Sequence, residues 1–115
     1  MIRMAHAVAG LIAAMAIATA PASAQSPIRG PAQLERWASE CTNAQGEYDL
    51  ADAEHSCTAI IRSDIATSGA RAFAYRQRGL VHFQRGDQTR ALADFSDAVR
   101  YNPHFTEAFI SRAAL

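Results

Sequence analysis

The feature that most constrains this chain is its similarity to itself at a fixed offset. Moved along by 34 residues, Ala74 falls on Ala108, Tyr75 on Phe109, Arg78 on Arg112 and Gly79 on Ala113. Moved by 38, Trp37 falls on Tyr75, Cys41 on Gly79, Ala53 on Ala91, Cys57 on Phe95 and Ile61 on Val99. The four extra residues of the longer offset fit in "SDIATSGA", a polar, glycine-containing stretch where insertion costs little. A period of this size means stacked units, none of which can bury its own apolar face alone.

The units read as helical hairpins. In "PAQLERWASECTNA", Leu34, Trp37, Cys41 and Ala44 share one face, and in "DLADAEHSCTAIIRS", Ala53, Cys57, Ile60 and Ile61 do, with Asp49 as N-cap. A third helix, "ARAFAYRQRGLVHFQ", stops at Gly86, and Asp87 caps a fourth, "QTRALADFSDAVRY". Asn102-Pro103 ends the fourth, because proline cannot continue a helix and its predecessor avoids helical angles. A fifth, "TEAFISRAAL", reaches the last residue, and no alternating run suggests a strand. Along the fourth helix the apolar positions are Ala91, Leu92, Phe95, Ala98 and Val99. Two of them are alanines, smaller than an ordinary core helix uses.

The N-terminus has a different organisation. A basic start, "MIRMAH", precedes the apolar run "AVAGLIAAMAIATA", and "PASA" ends in an A-x-A pattern at Ala22-Ser23-Ala24. That order is a secretory signal peptide over residues 1–24, its run shorter than the ~20 residues of a membrane span. Cleavage after Ala24 of the 115-residue chain leaves 91 residues, enough for one small domain. No cysteine follows the site before Cys41, which argues against a lipid anchor. Residues 25–33, "QSPIRGPAQ", read as a linker. Acidic residues number 11 and the basic ones, all arginine, also 11 before Arg3 is removed with the signal, so the mature chain is near neutral. With no basic cluster, nucleic acid and stable membrane insertion after cleavage are not expected.

The stretch "YRQRGLVHFQRGDQTRALADFSDAVRYNP" resembles a tetratricopeptide repeat, an all-α helical-hairpin solenoid. It carries the aromatic Tyr75, the small Gly79, then Ala91-x3-Phe95, Ala98 and Pro103. The resemblance implies that Gly79, Ala91 and Ala98 are small because neighbouring helices lie against them, while aromatics fill the gaps. It covers residues 72–105, continues over 106–115 as a truncated further repeat or capping helix, and extends in degenerate form over 34–63, with a loop at 64–71. Arg78 stands where the motif has leucine and His82 where it has tyrosine. Residues 34–63, with Trp37 and Cys41 on one helix and "CTAII" on the next, look like the divergent first hairpin of exported bacterial members. Terminal repeats are atypical because they cap the stack.

Chemistry-bearing residues are few. Through the 38-residue offset, Cys41 and Cys57 match Gly79 and Phe95, which the resemblance places face to face. With an export signal they read as a disulfide, the alternative being two buried free thiols. A redox C-x-x-C is absent. His55 and Cys57 diverge on their helix, and His82 and His104 are distant in sequence, so no metal or cofactor site is expected and His55 should be solvated. No phosphate loop, G-x-S-x-G or H-E-x-x-H occurs, and an enzyme is not expected. Asp94 and Asp97 read as solvated carboxylates within reach of Arg90 and Arg100.

What the resemblance leaves is a surface. It implies a concave groove lined by first helices, here Phe73, Arg76, Leu80, Phe83 and Gln84, then Glu107, Ile110 and Ala114. The alternative is that Phe73, Leu80 and Phe83 pack against neighbouring helices. Arg76 fits the basic position with which some members hold a peptide's carboxylate, but Leu80 replaces their asparagine. The expectation is a non-catalytic protein- or peptide-binding module in the periplasm of a Gram-negative bacterium. The alternatives are the N-terminal binding portion of a longer secreted enzyme or secretion component, and a solenoid segment that self-associates through residues 106–115.

Overall fold

The computed structural model describes residues 30–115, and the expected signal peptide, its expected cleavage site and most of the expected linker lie outside them. Among the described residues the chain is all-helical: α1 (Pro31–Thr42), α2 (Leu50–Arg62), α3 (Ser68–Gln84), α4 (Gln88–Tyr101) and α5 (Thr106–Ala113). None of these is long and apolar enough to cross a membrane.

Local chemistry sets the boundaries. Proline opens α1 at its first position, where its missing N–H costs nothing. The helix ends at Asn43, which takes a left-handed conformation and pins the following loop. Its amide Nδ2 donates to the Tyr48 carbonyl at 2.7 Å while its Oδ1 accepts from the Tyr48 N–H at 3.0 Å. Asp49, Thr67 and Asp87 cap α2, α3 and α4, their side chains accepting from the N–H groups of Asp52, Ala70 and Arg90. At the end of α3, Gly86 adopts φ 78° and donates to the Phe83 carbonyl, while Asp87 N–H reaches the His82 carbonyl. This closure needs a residue that accepts positive φ, and it fixes the three-residue turn into α4.

The expectations put residues 31–33 in both the linker and the first helix; they form the first turn of α1, because Pro31 starts a helix readily. The expected loop at 64–71 is helical from Ser68 onward, because Thr67 caps there and Gly69 falls in the first turn, where it is tolerated.

Neighbouring helices pack in chain order, and α2, α3 and α4 run antiparallel to one another in turn. Across α3 and α4, Tyr75 stacks on Tyr101 with ring centroids 5.5 Å apart, and further along α3 Gly79 meets Phe95, earlier in α4. Across α1 and α2, Cys41 and Cys57 stand at disulfide distance, their sulfurs 2.08 Å and their Cα atoms 4.8 Å apart. Around them Ile60, Ala66 and Ala74 form a core on which Leu34, Trp37, Ala38, Ile61, Ala70 and Phe73 pack. Alanines dominate the buried positions: Ala53, Ala72, Ala74, Ala91, Ala98 and Ala108 are all within 1% of full burial. Small side chains let these helix axes come close, and Phe95 fills the remaining space.

Candidate functional site

Helix α3 separates two sets of polar side chains. The first belongs to the expected groove, and the structure divides that set. Phe73 is half-buried and packs against the core around the disulfide. Leu80 is half-buried, whereas Phe83 is 47% and Ile110 64% exposed, with Gln84, Glu107 and Ala114 also exposed. Arg76 is half-buried, and its guanidinium carbon lies 5.9 Å from the centre of the Phe105 ring at the start of α5. Its Nε is buried and has no hydrogen-bond partner among the described residues. The other arginines of α3 are engaged: Arg71 donates to the carbonyls of Ile61 and Ser63, and Arg78 to a carboxylate. A cation on a ring face gains some attraction, but an unbonded guanidinium N–H out of water is costly.

The second set joins α2, α3 and α4, and the sequence reading did not find it. Arg78 clasps Asp94 with two hydrogen bonds, Nε to Oδ2 at 2.8 Å and Nη2 to Oδ1 at 2.9 Å, and its Nη1 reaches Thr58 Oγ1 at 3.2 Å. Asp94 is only 5% exposed. It is therefore not the solvated partner of Arg90 or Arg100 that helical spacing suggested. Arg90 instead pairs with Asp87, while Asp97 does pair with Arg100 at 3.1 Å. Beside the clasp, His82 Nε2 lies 3.6 Å from Asp94 and 3.8 Å from Glu54, and Arg85 pairs with Glu54. A signal for this set was present: Asp94 lies three residues beyond Ala91 and directly before Phe95, on the face that packs.

The electrostatics follow from these pairs. The hydrogen bond to Asp94 raises the Arg78 pKa, and the hydrogen bond from Arg85 lowers that of Glu54 below the ordinary carboxylate value. Burial raises the Tyr75 phenol, which stays protonated and neutral on its stacked partner. Glu54, Arg78, His82, Arg90, Ala93 and Asp94 line an open recess of about 260 Å3, where guanidinium groups already engage the carboxylates. No group of three or more His, Cys, Asp or Glu among the described residues is arranged to hold a metal ion.

The two sets differ in what they can still do. In the second, carboxylates and guanidinium groups answer one another across three helices, which fixes the helices' relative positions. In the first, the half-buried Arg76 has a buried Nε without a partner among the described residues, on the same helix as the exposed Phe83. Scanned against models of protein families, against curated proteins and against solved structures, the chain matches none of them.

Proposed function

We propose that this chain is a tetratricopeptide-like helical solenoid that acts as a non-catalytic protein-interaction module, exported to the periplasm after cleavage following Ala24. The fold reading draws support from positions equivalent under the 34-residue offset: Ala74 and Ala108 are both fully buried. It also draws on Gly79, Ala91 and Ala98, which are buried where the repeat calls for small residues. The observation that carries the functional reading is Arg76. It is half-buried, its Nε lacks a hydrogen-bond partner among the described residues, and it shares α3 with the half-buried Leu80 and the exposed Phe83. An extended or helical peptide that brings a carboxylate to the outer face of the Arg76 guanidinium and an apolar side chain to Phe83 would suit this flank of α3.

The test is titration of a captured periplasmic partner against four variants, with melting curves run beside them. Arg76→Ala and Phe83→Ala should each cost ~1 kcal/mol or more of binding, Leu80→Ala less, and Arg100→Ala on α4 almost nothing. Unchanged binding by Arg76→Ala refutes the groove. Export is tested separately by intact mass, which should correspond to a chain starting at Gln25.

A second reading, self-association through residues 106–115, is favoured by the exposure of Phe109, Ile110 and Leu115 on and just after α5. Light scattering across a concentration series distinguishes it, since a self-associating chain gains mass as it is concentrated.

A further inference from the structure

The joints between helices differ in kind. Between α2 and α3, Arg78 reaches Thr58, Arg85 pairs with Glu54, and Arg71 donates to two carbonyls at the end of α2. Between α3 and α4 there are the Arg78–Asp94 clasp, the Gly79–Phe95 contact and the Tyr75–Tyr101 stack. Helix α1 is held differently. Of its 12 residues only Cys41 is fully buried, and its N-cap, Gly30, supplies no side-chain hydrogen bond. Leu34, Trp37 and Ala38 pack half-buried on the core, and Glu40 accepts from the Ser56 hydroxyl. A helix of this length is marginal in water when not packed.

We infer that the Cys41–Cys57 bond is a redox-controlled latch on α1: reduced, the chain releases residues 31–42 as a unit and bares the apolar face beneath, while α3 and α4 stay folded. The face so bared carries Cys57, Ile60, Ala74 and Phe73, now buried or half-buried in one core. This inference does not rest on the proposed groove. It concerns which helix leaves, not what binds.

The chemistry is thiol–disulfide exchange with a dithiol reductant. Its thiolate attacks one cysteine sulfur, the S–S bond breaks, and the other cysteine departs as a thiolate that takes up a proton. The second thiol of the reductant then displaces the protein from the mixed disulfide. The protein has gained two electrons and the reductant has become a disulfide. Cys41 is 2% and Cys57 0% exposed, so no thiolate reaches either sulfur in the closed state. Attack must wait until α1 lifts, and the rate of reduction therefore reports how the chain opens.

Two measurements on the full chain decide the matter. The first is the rate of reduction by dithiothreitol as urea is added below the unfolding transition. Opening of α1 alone exposes little surface, so the rate should change by less than about threefold, whereas opening by global unfolding would raise it steeply and evenly from zero urea. The second is hydrogen exchange before and after reduction, repeated on Cys41→Ala/Cys57→Ala. Protection over 31–42 should fall by about tenfold or more while that over 68–101 changes by less than about threefold. An apolar fluorescent dye should brighten at the same time, as the uncovered face binds it. A steep urea dependence overturns the latch, and so does α1 that keeps its protection once reduced. Loss of protection over 68–101 together with 31–42, in reduced protein or in the double variant, overturns it as well.

Discussion

Gly79 lies directly beneath the ring of Phe95, so close that a Cβ at position 79 would stand 2.5 Å from Cε1 and 2.7 Å from Cδ1. Phe95 is only 1% exposed, so its ring is enclosed by the packed helices. The α3–α4 contact therefore depends on a missing methyl group.

In Gly79→Ala overpacking costs about 1–3 kcal/mol. Better helix propensity offsets about 1 kcal/mol of that, so the domain should lose up to about 2 kcal/mol. Gly69, also in α3, is the control. A Cβ there meets only Thr67 Oγ1, at 3.8 Å, so Gly69→Ala should be neutral or stabilising by up to about 1 kcal/mol. Urea denaturation of both variants gives the comparison, and equal effects would contradict the packing.

The Arg78–Asp94 clasp makes a second prediction. Arg78→Leu leaves the Asp94 carboxylate buried without its partner. Removing one member of a buried pair costs about 3–5 kcal/mol, and here somewhat less because the Arg78 side chain keeps 22% of its exposure. Replacing both, as Arg78→Leu/Asp94→Leu, should recover much of the loss, since no charge is then stranded. A double-mutant cycle by urea denaturation measures the coupling. Additive losses would mean that the two side chains act independently.

These two pairs also show what was legible in the sequence. The packing of the small residues Gly79, Ala91 and Ala98 around the aromatic Phe95 could be expected because the resemblance to a helical-hairpin repeat implies contacts across helices, which spacing alone does not. The burial of Asp94 was readable from its place beside Ala91 and Phe95, but its partner was not, since spacing within one helix offers only partners three or four residues away and Arg78 stands 16 residues back on another helix. The start of α3 was obscured by composition: Ser68 and Gly69 look like a loop, yet Thr67 caps a helix there. Phe73 shares helical spacing with Leu80 and Phe83, but only the position of the first hairpin shows that it is covered.

Glu54 sets the acid side of the stability profile. Its folded pKa lies below the ordinary value of 4.5, first because of the hydrogen bond from Arg85. A depressed carboxylate contributes stability that is present above the unfolded pKa and lost as pH falls through the folded one. The urea midpoint should therefore drop below about pH 4.5, and part of that drop should vanish in Glu54→Gln. Both side chains are about a third exposed, so the pair contributes modestly and salt should weaken it. An identical pH profile for Glu54→Gln would show that other carboxylates account for the decline.

The last prediction separates surface from core along α3. Phe83 is 47% exposed, and truncating it removes little apolar area that folding had taken from water. Phe83→Ala should cost less than about 1 kcal/mol of stability, as surface substitutions do. Phe73, packed on the core around Cys57 and Ile60, should cost about 2–4 kcal/mol, a little under the range for a fully buried phenylalanine. Arg76→Gln keeps an amide able to hydrogen-bond and loses the charge over Phe105, a contact worth about 0.5–1 kcal/mol at a partly exposed site. Denaturation of the three variants in the unbound protein gives an order: Phe73→Ala weakest, the other two near the parent. That order frees Phe83 and Arg76 for recognition, because neither is then needed to hold the helices together. If Phe83→Ala proves as damaging as Phe73→Ala, its ring is part of the core, and a loss of binding in that variant would report unfolding rather than a lost contact.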